Sequence, residues 1–224
     1  FLFAVWQGQF GVIGARHRIA DGVLIDLAGI LIDRTPTYTG CGDPPRPSVE
    51  YDAATDSFLV IYTETMTGRT LAARVRASDG ARLTATPIEI SAVPSCSPSL
   101  ARGASYHFVT WRNQTSGAIQ GRRVNFDGSL PSVSVTTVPG NASLLSSAYA
   151  RGNFLVAWSE GIDVRAQRVS EATGGLVGTA VAVATGTVGH YFPIASSDGA
   201  DFAIAWVEAR QTGTFVTARA LASR

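Results

Sequence analysis

The chain repeats itself. The stretch Phe154-Leu155-Val156-Ala157-Trp158-Ser159-Glu160 returns in pattern at 1–8, 58–64, 106–113 and 202–208. The anchoring aromatics Trp6, Tyr62, Trp111, Trp158 and Trp206 stand 56, 49, 47 and 48 residues apart. A period of that length fits a four-stranded propeller blade rather than the unit of a helical solenoid.

Each unit reads as short strands joined by tight turns. The near-continuous apolar run Phe1–Trp6 suits a strand covered on both faces. It is followed by Val12–Arg16, an Asp21-Gly22 turn and a strand near Ile30–Ile32. Asp-Gly between apolar runs is a strong hairpin signal, and it recurs at Asp79-Gly80 and Asp127-Gly128, with Gly174-Gly175 in its place later. The second unit has all four strands, Ser48–Tyr51, Phe58–Tyr62, Thr70–Val75 and Ile88–Ile90. The third runs from Pro98 to a closing strand at Val133–Val135, and the fourth from Leu145 to Val181–Val183. The fifth supplies 193–195, Phe202–Trp206 and Phe215–Leu221. A Pro- and Gly-rich loop over 33–47 accounts for the one long spacing.

The sequence therefore predicts a single all-β domain over 1–224, a propeller of about five four-stranded blades at 1–46, 47–96, 97–143, 144–191 and 192–224, with the first and last blades incomplete. The first repeat begins at its second strand and the fifth ends at its third. The two end strands are thus expected in separate three-stranded blades, or in a larger ring that a further chain or segment completes.

Composition narrows the chemistry. All 18 basic residues are arginine, which excludes any lysine nucleophile, Schiff base or P-loop lysine. With 17 acids the net charge is +1, so no electrostatic footprint for nucleic acid stands out. No apolar run approaches the roughly 20 residues of a membrane-spanning helix, so membrane insertion is not expected. The motifs H-E-x-x-H, G-x-S-x-G, G-x-G-x-x-G and C-x-x-C are all missing. The histidines, His17, His107 and His190, fall at different places in the repeat, which speaks against a zinc site; no cofactor is expected, Ca²⁺ being the one candidate.

Two polar places recur. A small residue, any residue and an arginine occupy the third strand of every unit, at Arg16, Arg74, Arg123, Arg168 and Arg219. The small residue shares a face with the arginine and leaves room for a neighbour such as the adjacent Trp. The arginines read either as a ring for an anionic ligand or as structural groups stacked on an aromatic or paired with an acid. Two residues beyond the aromatic stand Glu64, Asn113, Glu160 and Glu208. These form either a carboxylate arc for Ca²⁺ or sugar hydroxyls, or acceptors for turn amides and partners for the arginines.

An enzyme of the propeller class would need two carboxylates flanking a glycosidic bond. Only Glu50 and Asp52 lie on an expected innermost strand, and the sialidase box S-x-D-x-G-x-T-W is approached at 196–202 without being met. Cys41 and Cys96 each precede an innermost strand in neighbouring units, so they are candidates for a disulfide, with two buried thiols as the other reading.

The pattern F-L-V-x-W, then I-x-G-x-R-V and a D-G turn, is carried by Phe154–Trp158 with Val164–Val169, by Ile119–Val124 with Asp127-Gly128, and by Leu27–Ile32. It resembles the repeats of large secreted or surface-anchored bacterial proteins, notably of myxobacteria and their relatives. That resemblance implies a propeller and an extracellular or cell-surface location, and it transfers no catalytic residue. The combined expectation is a non-enzymatic binding or adhesion module with a lectin-like or protein-docking surface for a carbohydrate or protein ligand. The alternatives are a glycan-processing enzyme around Glu50 and a structural spacer in a large surface protein.

Overall fold

The computed structural model describes residues 1–34, 46–64, 66–131, 136–138, 140–210 and 213–221. Its strands group into five antiparallel sheets of three, four, four, four and three strands. Blade 1 holds β1 (Leu2–Gly8), β2 (Gly11–His17) and β3 (Ile30–Asp33). Blade 2 holds β4 (Ser48–Asp52), β5 (Ser57–Thr63), β6 (Thr70–Arg76) and β7 (Ile88–Glu89). Blade 3 holds β8 (Ser95–Arg102), β9 (His107–Asn113), β10 (Ile119–Val124) and β11 (Thr136–Val138). Blade 4 holds β12 (Leu145–Ala150), β13 (Asn153–Glu160), β14 (Asp163–Ser170) and β15 (Leu176–Ala184), and blade 5 holds β16 (Gly189–Ser197), β17 (Phe202–Arg210) and β18 (Gly213–Leu221). The chain is a β-propeller whose first and last blades are incomplete. The closing strand expected at 133–135 lies outside the described residues.

Apolar residues on both faces of the second strand cause the blades to stack. β5 is buried along its whole length, and β9 and β13 nearly so. Taking the anchoring aromatic as reference, one face of each blade carries that aromatic and the residues two and four before it. This trailing face meets the preceding blade. In blade 4 it is Phe154, Val156 and Trp158, packed against Phe108 and Ile119 of blade 3. The opposite, leading face meets the next blade: Leu155 and Ala157 pack against Phe202, Ile204 and Trp206 of blade 5. Blades 1 and 2 and blades 2 and 3 join in the same way.

Among the described residues no core cluster joins blade 5 to blade 1, and the end strands β1 and β18 lie in separate sheets. The seal by one shared four-stranded sheet does not form. Its consequence appears at Trp6, in the run Phe1–Trp6 that the sequence marks as a strand covered on both faces. Tyr62, Trp111, Trp158 and Trp206 are at most 7% exposed, but Trp6 is 43% exposed, because among the described residues no core cluster forms on the trailing face of blade 1.

The arginines staple one blade to the next. Arg16 donates from Nε and Nη2 to Asp26, while its Nη1 reaches the carbonyls of Ala77 and Ser78 in blade 2 at 3.1 and 2.7 Å. Arg74 Nη1 donates to the Asp127 carbonyl of blade 3 at 2.9 Å. Arg123 lies over the Tyr106 ring and against Gly174 of blade 4. In each case the arginine on a leading face meets the glycine turn between the third and fourth strands of the next blade. The small residue two before it makes room for a phenylalanine of the blade's adjacent second strand and not for the Trp, since a Cβ on Gly14 or Gly121 would collide with the ring of Phe3 or Phe108.

Arg219 departs from the series. In blades 1 to 4 the arginine pairs across the ladder with the residue three before the aromatic: Phe3, Leu59, Phe108 and Leu155. In blade 5 Ala220 holds that register and Arg219 pairs with Ile204. A shift of one residue turns a side chain to the other face, so Arg219 points back and donates to the Val183 carbonyl of blade 4 at 3.2 Å.

Candidate functional site

The innermost strands β4, β8, β12 and β16 surround a channel pocket of about 250 Å³, lined by Glu50, Arg102, Ser147, Tyr149, Ser196 and Ser197 among others. Arg46, just before β4, places its guanidinium 5.3 Å from the ring centroid of Phe192 in β16 and so links the first and last of these strands. Register explains what faces the channel. Glu50, Ala101, Ala148 and Ser196 each pair with the residue three before their blade's aromatic: Leu59, Phe108, Leu155 and Ala203. At this level of the channel one carboxyl therefore looks across at two alanines and a serine.

Burial pushes the Glu50 carboxyl up from 4.5 to about 7, against the opposing pull of the Arg102 guanidinium. Near neutral pH this group exchanges between a hydrogen-bond donor and an anion. Asp52, two residues along β4, is different. It is fully buried, accepts from the Thr55 hydroxyl and amide at 2.7 and 3.0 Å, and pairs with Arg102 Nη2 at 2.9 Å. Burial alone would raise its pKa, but the hydrogen bonds from Thr55 and Arg102 and from the turn amides outweigh it and hold the carboxyl below the ordinary range. Asp52 thus ties blade 2 to blade 3, and among the described residues Glu50 is the one acid in the lining of this pocket.

The four acceptors beyond the aromatics are each engaged locally, three within their own blade and Glu160 also with the segment that leads in from blade 3. Glu64 accepts from the Thr67 amide at 3.1 Å and from the Thr67 hydroxyl. Asn113 caps the amides of Thr115 and Ser116 at 2.9 and 3.1 Å. Glu160 accepts from the Asn141 amide at 2.9 Å and pairs with Arg165 at 2.6 Å. Glu208 pairs with Arg210 at 2.9 Å, which with the Thr217 hydroxyl holds its carboxyl below the usual range. Nothing draws them into one arc, and no group of three or more His, Cys, Asp or Glu suited to a metal occurs among the described residues. Cys96 is fully buried at the head of β8, and no free thiol occurs among the described residues; Cys41 lies outside them.

Arg102, Tyr149, Ser147, Ser196 and Ser197 carry no motif and escape a reading by residue type. Their signal is positional, since they stand on innermost strands at or beside the places matching Glu50.

No protein-family model and no curated protein matches the chain. Solved structures do. AofleA from Arthrobotrys oligospora superposes with a TM-score of 0.65 at 10% identity, over 99% of this chain and 65% of that one. The exo-β-1,3-galactanase 1,3Gal43A from Clostridium thermocellum gives 0.54 at 9% identity, over 98% and 56%. TolB from Acinetobacter baumannii gives 0.56 at 13% identity, over 97% and 49%. The chain thus spans about half to two-thirds of the length of these structures, and at such identity the likeness shows the fold.

Proposed function

We propose that this chain is a non-enzymatic binding module, extracellular or cell-surface, that takes a small polyhydroxylated ligand of the saccharide class in the channel beside Glu50. The observation that carries this reading is the lone, half-desolvated carboxyl of Glu50 set among serine hydroxyls, the Tyr149 ring and the Arg102 guanidinium in a pocket of about 250 Å³. A carboxyl with hydroxyl and guanidinium neighbours offers the acceptors and donors that fix a sugar's hydroxyls.

A glycan-processing role is the second reading, favoured by the raised Glu50 pKa, which suits a general acid. Against it stands the missing partner: glycoside hydrolysis uses two carboxyls roughly 5 to 9.5 Å apart, and Asp52 is consumed by Arg102 and Thr55. A glycan array that includes β-galactans, probed with the wild type and Glu50→Ala, tests the binding reading; the wild type should bind a subset of glycans and the variant should lose them while melting cooperatively at no lower a temperature than the wild type. Release of aglycone from a panel of reporter glycosides would establish the enzyme instead. We also propose a Cys41–Cys96 disulfide, supported by the burial of Cys96 beside blade 2. Intact-mass analysis after alkylation without reduction should find neither thiol modified.

A further inference from the structure

The turn that leaves the third strand is apolar at one place in blades 1 to 3 and acidic there in blade 4. Three residues past the recurrent arginine stand Ile19, Ala77 and Phe126, and the same place in blade 4 holds Glu171. Glu171 is 8% exposed. Burying a carboxyl is costly unless its oxygens are satisfied, and the other three blades carry an apolar side chain there, so the blade itself does not call for an acid.

The contacts of Glu171 show what it holds. Its Oε1 accepts from the Ser105 amide of blade 3 at 2.7 Å and its Oε2 from the Tyr149 hydroxyl at 2.5 Å, while its carbonyl accepts from the Tyr106 hydroxyl at 2.7 Å. The rings of both tyrosines pack on Phe154, with centroids 5.0 Å away for Tyr149 and 5.4 Å for Tyr106. There is little slack, since a Cβ on Gly103 would come within 2.5 Å of Oε1 and 2.6 Å of Phe154. Tyr51 is the counterpart of Tyr149, because the two pair across the ladder with Phe58 and Phe154. It is exposed, and its hydroxyl reaches Asp56 of its own turn at 3.1 Å. Tyr149 lines the channel pocket, and Glu171 stands behind it, outside that lining.

We propose that Glu171 is a positioning residue of the channel site, which pins the Tyr149 ring as a fixed wall and takes its phenolic hydrogen bond. The proposal rests on the saccharide reading above. A ligand then meets Tyr149 as a ring and as an acceptor, so a sugar hydroxyl can donate to the Tyr149 oxygen but finds no donor there. A wall held from behind keeps the pocket in its binding shape before the ligand arrives.

Two measurements on the full chain test this. In NMR spectra of the isotope-labelled protein, the Tyr149 hydroxyl proton should be protected from exchange with water, and Glu171→Ala, which installs the residue blade 2 carries at this place, should abolish the protection. The strongest-binding glycan of the array is then titrated as a free oligosaccharide by calorimetry, below the melting transition of each protein. Glu171→Ala and Tyr149→Phe should each weaken binding by about tenfold, and the double variant should lose no more than either alone, because both remove one shared constraint. An unprotected Tyr149 hydroxyl in the wild type would overturn the proposal, as would losses that multiply to about a hundredfold in the double variant. A glycan bound equally by wild type and Glu171→Ala, with only the melting temperature lowered, would make Glu171 structural and overturn the positioning role alone. A wild type that binds no glycan would remove the saccharide reading and, with it, the site that Glu171 is proposed to position.

Discussion

Arg74 of blade 2 donates through Nη1 to the backbone carbonyl of Asp127 in blade 3, and its Cδ lies 2.8 Å from where a Cβ on Gly128 would stand. The contact makes Gly128 a packing residue as well as a turn residue. Gly128 has φ +87° and Gly22 has φ +71°, so alanine is strained at both, but Gly22 meets nothing within 4 Å. Gly22→Ala should cost about 1 kcal/mol of backbone strain, and Gly128→Ala about 2 to 4 kcal/mol as the staple is displaced. Urea melts of the two variants check the difference; equal losses would mean that the junction yields freely.

The same logic separates two tryptophans that look alike in sequence. Trp158 is fully buried between blades 3 and 4, whereas Trp6 is 43% exposed. Trp158→Ala should cost about 3 to 5 kcal/mol by leaving a cavity. Trp6→Ala should cost no more than about 1 to 2 kcal/mol, in proportion to the area it hides. A loss at Trp6 as large as at Trp158 would show that the trailing face of blade 1 is covered in solution.

These cases mark what was legible in the sequence. The aromatic period and the Asp-Gly turns carry the blade count, the strand order and the incomplete ends, because strand alternation and turn chemistry are local. The direction of a side chain across a junction is not local. Arg219 matches the small-x-Arg pattern, yet a one-residue register shift reverses its face. Trp6 matches the aromatic pattern, yet its environment depends on whether another blade packs on it, and among the described residues none does. At the channel, Glu50 was legible because an acid on an innermost strand is conspicuous, but Ser147, Tyr149 and Ser196 come together only when four distant strands are placed around one axis.

His107 sits four residues before Trp111, the place that Phe58, Phe154 and Phe202 hold in other blades, and each pairs with an apolar residue: Val124, Val75, Val169 and Leu221. It is buried edge-on to Phe126, and burial pushes its pKa down from 6.5 to about 4. The unfolded chain therefore takes up this proton first as pH falls. Stability that is complete above about pH 6.5 is lost progressively toward pH 4, by about 2 kcal/mol at pH 5. His107→Phe, the repeat's own residue, should remove that contribution, so its stability relative to the wild type should grow by about 2 kcal/mol from pH 7 to pH 5 in denaturant melts; a difference that does not change with pH would place the lability elsewhere.

Glu50 produces the opposite slope. Its carboxyl ionises near 4.5 in the unfolded chain and at about 7 in the channel, so between those values the folded protein holds a proton that the unfolded chain has released. Stability must then fall as pH rises from about 4.5 to about 7 and stay low above, by about 2 kcal/mol after allowance for channel water. In the wild type this fall overlaps the rise contributed by His107, so the raw curve over pH 5 to 7 should be shallow and the effect must be read as a difference. Glu50→Gln keeps the shape and cannot ionise. Its stability relative to wild type should grow by about 2 kcal/mol between pH 5 and pH 8, and His107→Phe with Glu50→Gln should be nearly flat. A Glu50→Gln difference that does not change with pH would mean that water solvates the carboxylate freely, and the polar pocket proposed for a saccharide would lose the desolvated group on which it rests.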